Sequence, residues 1–132
     1  MTEMYAASRE ALQVTRTTLH TELASTTDGS GAEKIGADLF EVTDVLAGER
    51  SLRGLLSDSS SEVSARERLA DTVFGGRISA GAASVVRVAV GQQWSSGRDL
   101  LDSIELLGRE ALLVSADQQG RLATVEDELF RL

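Results

Sequence analysis

Few side chains in this sequence could do chemistry. His20 is the single histidine, and no cysteine is present to join it. A transition-metal site needs several such ligands converging from different elements, so His20 reads as a surface histidine near a helix end. Gly75-Gly76-Arg77 could cradle an anion where the next helix begins, because free N–H groups and the helix dipole favour negative charge there. No P-loop lysine and serine follow, so the two glycines read instead as a helix stop. Asp38 and Asp44, then Glu126, Asp127 and Glu128, are carboxylates at helical spacing. General acid–base work would need a pair in one pocket whose environments push their protonation apart. At this spacing they read as a solvated face. The expectation is a non-catalytic protein with no catalytic, metal or cofactor-binding residues and no cofactor.

Charge narrows the partners. With 13 Lys and Arg against 21 Asp and Glu the net charge is −8, and Lys34 is the one lysine. Such a surface repels phosphate backbones and anionic lipid, so neither nucleic-acid binding nor direct membrane insertion is expected. The apolar run ending at Val90 is far shorter than the ~20 residues that span a bilayer. Proline is absent and aromatics make up 4%. With Ala, Leu, Val, Glu and Arg abundant, the chain reads as all-α, a six- to seven-helix bundle.

The helical period supplies the elements. A first helix, from about Glu3 to Leu23, puts Tyr5, Leu12, Leu19 and Leu23 near one face, and residues 25–31 form a loop of turn formers. The second starts at about Ala32, carries Ile35, Leu39, Val42 and Leu46, and ends at Gly48. A short third helix holds Leu52, Leu55 and Leu56. Ser59 with Glu62 has the spacing of a capping box for the fourth, with Asp58 as the alternative cap; Leu69, Val73 and Phe74 follow. Ser79 caps the fifth, whose residues 82–90 are apolar nearly all round, so it is expected to be the central, most buried helix. Ser96 and Asp99 form another capping box, and Trp94 sits between the fifth helix pattern and the sixth. The sixth helix carries Leu100, Ile104, Leu107, Ala111 and Val114.

Gln118-Gln119-Gly120 is expected to interrupt that helix. A last segment with Leu122, Val125 and Leu129 runs to Leu132 in mid-pattern. This divides the chain into an amino-terminal bundle, 1–118, and the truncated start of a further helix or second repeat, 119–132. Leu129-Phe130 echoes Leu39-Phe40, which raises the idea of a second copy. The first and fifth helices have more apolar surface than one small core requires. Either both are core helices, or they border a groove that accepts an amphipathic helix from a partner.

The ordered motifs resemble a known family. Asp38-Leu39-Phe40-Glu41-Val42-Thr43-Asp44-Val45-Leu46 followed by Leu52-Arg53-Gly54-Leu55-Leu56-Ser57-Asp58 resembles the "DELF…VADLL…LR..L.D" pattern of actinobacterial ATP synthase delta subunits. Gly75-Gly76-Arg77-Ile78-Ser79 is similar to that family's "GGKVS", and Trp94-Ser95-Ser96-Gly97-Arg98-Asp99-Leu100 to its "WSRPRDL". Glu126-Asp127-Glu128-Leu129-Phe130 is similar to its second "EDELF". Where the family often carries proline, this chain has Ser59, Glu62 and Gly97, so looser loops are expected there.

The resemblance implies a component of the peripheral stalk, the stator that keeps the catalytic head from turning with the rotor so that rotation drives ATP synthesis. It implies a six-helix bundle whose first and fifth helices border a groove for the amino-terminal helix of an alpha subunit. It also implies a carboxy-terminal part that joins the b-type stalk subunit, and a peripheral place on the cytoplasmic face of the cell membrane. The residues it marks for partner binding are Tyr5, Leu12, Leu19, Val85, Val88 and Ala89. Leu100 and Ile104 join them if the groove belongs to a following bundle. The alternative is an unrelated all-helical adaptor or regulatory module, sharing the groove but not the ordered motifs.

Overall fold

Apolar residues recurring every three or four positions produce six helices in a computed structural model that describes residues 4–130. They are α1 (Ala6–Ala24), α2 (Ser30–Gly48), α3 (Arg50–Leu56), α4 (Val63–Phe74), α5 (Ala80–Val90) and α6 (Gly97–Phe130). No strand occurs among the described residues. The expected helix ends at Glu3 and Leu132 lie outside the described residues. The β-branched run of α5 is helical, started by Ser79, whose Oγ accepts the Ala82 N–H at 3.3 Å.

The largest interface is α2 against α6. Leu39, Val42 and Leu46 from α2 and Leu100, Ile104, Leu107 and Ala111 from α6 are all buried in one core. Two glycines let these helices approach closely. A Cβ at Gly36 would stand 2.8 Å from the Leu112 side chain and 3.1 Å from the Gly108 carbonyl, while one at Gly108 would touch Leu39 and Phe40. Around this pair α1 packs on α5 and α6, and α4 packs on α5. Helix α5 packs on α1, α2, α4 and α6 and exposes only Ala80 and Arg87, so it is the most buried helix, as expected, although the largest single interface is that of α2 with α6.

Three local expectations are corrected. Ser59 does not cap α4: the helix starts from Glu62 with no side-chain cap, and Asp58 instead accepts from the N–H and hydroxyl of Ser60 in a local turn. That turn leaves the Ser59 hydroxyl away from the helix start. The second correction is to the break at Gln118-Gln119-Gly120, because α6 runs unbroken through it, giving six helices and not seven. One glycine costs a helix only about 1 kcal/mol, and the Asp117–Arg121 ion pair at 3.1 Å spans it. What does change there is packing. Gln118 is the last buried residue of α6, and residues 119–130 are exposed.

Thirdly, Asp38 is not on a solvated face. Its carboxylate is buried, accepting the Ser79 N–H at 2.6 Å and the Lys34 ammonium at 2.8 Å. It thereby fixes the start of α5 to α2. Burial alone would raise this carboxyl group; the hydrogen bonds from Lys34 and from the backbone and hydroxyl of Ser79 outweigh it and hold the pKa below the ordinary value. A carboxylate depressed in the folded state adds stability that is present above its unfolded pKa of about 4 and is lost as pH falls through the folded value. Asp38→Asn is therefore expected to cost about 1–3 kcal/mol at neutral pH, the worth of a hydrogen bond to a charged group. The gap between wild type and variant is expected to close below about pH 4. Urea unfolding from pH 7 down to 3 measures it, and a gap that stays constant with pH would show that the charge is not involved.

Candidate interaction surface

The site expected between the first and fifth helices is built on a polar corner. Trp94 is buried, and its indole N–H donates to the Ala89 carbonyl at 2.7 Å, turning the chain back against the end of α5. Ser96 Oγ accepts the Asp99 N–H at 3.1 Å, as the expected cap requires. The Asp99 side chain does not close the box. It accepts instead from the Ser8 hydroxyl at 2.7 Å, and Ser8 Oγ accepts the Ser95 N–H at 2.8 Å. A buried serine of α1 thus holds the α5–α6 turn, and Gln92 Nε2 donates to the Val88 carbonyl at 3.1 Å beside it. Ala7, Glu10 and Ala11 of α1 face Gln92 and Gln93 across a shallow cleft of about 200 Å³.

The eight residues marked for partner binding separate into two groups. Leu19, Val85, Ala89, Leu100 and Ile104 are at most 1% exposed and pack into the bundle's own core. Leu12 and Val88 are half-buried, and Tyr5, at the cap position of α1, is 76% exposed. Of the eight, only Tyr5, Leu12 and Val88 keep surface that solvent reaches.

Buried polar side chains went unrecognised in the sequence, Arg66 and Ser115 among them, and Gln118 was read only as part of a helix break. Arg66, 3% exposed, donates to the carbonyls of Val90 at 2.6 Å, Asp58 at 2.8 Å and Ser61. It holds the α3–α4 loop, expected to be loose without proline, against the end of α5. The four-residue spacing of Arg66, Ala70 and Phe74 was the available signal, since it puts the arginine on the inner face of α4. Ser115 and Gln118 hold the α1–α2 loop in the same way. Ser115 Oγ donates to the Gly29 carbonyl at 2.7 Å, and the Gln118 amide accepts the Gly29 N–H at 3.1 Å and donates to the Thr26 carbonyl at 3.0 Å.

His20 is exposed on α1, and Gly75-Gly76 does end α4, with Gly76 at φ 77°. Among the described residues no group of three His, Cys, Asp or Glu is placed to hold a metal ion, and no helix is long and apolar enough to cross a membrane.

No family model matches the chain. Individual proteins do. It is 53% identical to the ATP synthase subunit delta of Rhodococcus opacus (strain B4), over all of this chain and 49% of that protein. The subunit delta of Nocardia farcinica is 50% identical over 98% of this chain and 47% of its own length. That of Corynebacterium glutamicum (strain R) is 44% identical over 98% and 48% respectively. The chain spans about half the length of the curated relatives it matches.

Proposed function

We propose that this chain, a homologue over its whole length of about half of the actinobacterial ATP synthase delta subunit, is a helical module of the peripheral stalk. The observation that carries this reading is identity of 53% spread over the entire chain. The work is mechanical: the module tethers the catalytic head to the membrane sector and transforms no substrate. It sits at the cytoplasmic face of the cell membrane, held there by the complex. Its partners are the amino-terminal helix of an alpha subunit and, through the rest of the subunit, the b-type stalk.

We assign the alpha helix to the α1–α5 face, where Tyr5, Leu12 and Val88 offer apolar contact and Ala7, Glu10 and Ala11 line a cleft with Gln92 and Gln93. A helix laid there would bury its apolar stripe against these three residues. Leu19, Val85, Ala89, Leu100 and Ile104 would set the shape of that floor without touching the partner.

Calorimetric titration with a peptide of the alpha subunit's amino-terminal helix from the same organism tests the assignment. Binding at micromolar strength or tighter is expected, weakened at least about tenfold by Val88→Asp or Tyr5→Asp. Binding unchanged by both substitutions would move the site elsewhere on the bundle. No binding at all would remove the alpha contact from this half of the subunit.

A further inference from the structure

Helix α6 leaves the bundle at a defined residue. Gln118 and Ser115 grip the α1–α2 loop, and from Gln119 onward α6 buries nothing. Gly120 lies two residues beyond that grip. Gly36 and Gly108 have a steric reason in the α2–α6 approach, and Gly81 in Ile35, 2.8 Å from where its Cβ would stand; Gly48 is open but ends α2. A Cβ at Gly120 would meet nothing within 4 Å. Gly54 is equally open, but α3 is fixed by buried Leu56 and by Arg53, which donates to the Leu46 carbonyl. Gly120 instead joins a length of helix packed into the bundle to one whose described residues are all exposed.

A second feature sits one turn later. The Thr124 hydroxyl donates to the Gly120 carbonyl at 3.0 Å. A hydroxyl bonded back to the i−4 carbonyl competes with the helical N–H for that acceptor and bends helices. Glycine supplies the backbone freedom that lets the bend occur. We propose that the Gly120–Thr124 turn is a flexure, so that residues 121–130 form a lever whose direction relative to the bundle varies. This inference does not depend on what the bundle binds.

The absence of cysteine makes the test direct. Spin labels at Ala37→Cys and Ala123→Cys, both on exposed positions, report the distance across the flexure by pulsed dipolar spectroscopy. Labels at Ala37→Cys and Ala116→Cys report the same span short of it. The wild-type background is expected to give a broad distribution for the first pair and a narrow one for the second. Gly120→Ala is expected to lower the bent population about fivefold, the ratio set by helix propensity. The proposal is overturned if the first pair is already narrow, if it stays equally broad in Gly120→Ala, or if the second pair is broad as well.

Discussion

Arg66→Ala is expected to lower the free energy of unfolding by about 3 kcal/mol, the order found when a buried charged hydrogen-bonding group is removed and its partners stay behind. The substitution strands the carbonyls of Val90, Asp58 and Ser61, which meet at one guanidinium from the end of α5 and the α3–α4 loop. Arg66→Lys should recover little. An ammonium on a flexible stem cannot reproduce the planar fork that reaches carbonyls on both sides of it. Arg66→Met keeps most of the apolar stem yet leaves the same acceptors unmet, so it should remain close to the alanine variant. Equilibrium urea unfolding measures all three, and a loss below about 1 kcal/mol for Arg66→Ala would mean that water replaces the guanidinium at little cost.

The second large effect contrasts two leucines on one face of one helix. Leu107 is fully buried between α6 and α2, and Leu129 is 64% exposed. Leu107→Ala is expected to cost about 3–4 kcal/mol, the loss of transferred methyl groups plus the cavity they leave. Leu129→Ala should change stability by no more than about 0.5 kcal/mol. The same denaturation experiment decides it. A large loss at Leu129 would show that the outer part of α6 is packed on something in solution.

The elements were legible because an apolar face repeats at a period set by the backbone itself. The starts of α2, α5 and α6, and the stops at Gly48 and Gly75-Gly76, fall within about two residues of their sequence signals, as helix boundaries allow; α4 starts later than its signals at Asp58 and Ser59. The polar interior was not legible in the same way. Asp38 looks like any surface carboxylate until α5 is placed above it, and its partner Ser79 lies 41 positions away. Arg66 and Gln118 likewise acquire partners only through tertiary approach, since the carbonyls they meet come from loops with no periodic pattern. Gln118-Gln119-Gly120 was read as a helix break, yet α6 continues through it and Gln118 bonds to Thr26 and Gly29.

The proposed interaction surface was legible only in outline. Periodicity put Leu19, Val85 and Ala89 on the inward faces of α1 and α5, which it cannot distinguish from the walls of a groove. Exposure separated Tyr5, Leu12 and Val88 from them. The corner itself was half visible: Ser96 and Trp94 announced a turn, but the serine that locks it, Ser8, sits at the far end of the sequence.

The dominance of the α2–α6 interface has a consequence for biosynthesis. The ribosome releases α2 long before it makes the helix that covers it. At roughly 5–20 residues per second, the 22 residues from Gly97 to Gln118 alone take on the order of one to four seconds. Until they emerge, Leu39, Val42 and Leu46 have no α6 to cover them and are open to chaperones or to neighbouring nascent chains. The bundle can complete its core only after Gln118 clears the exit tunnel, so a translational pause before that emergence would prolong the vulnerable state while a later one would not.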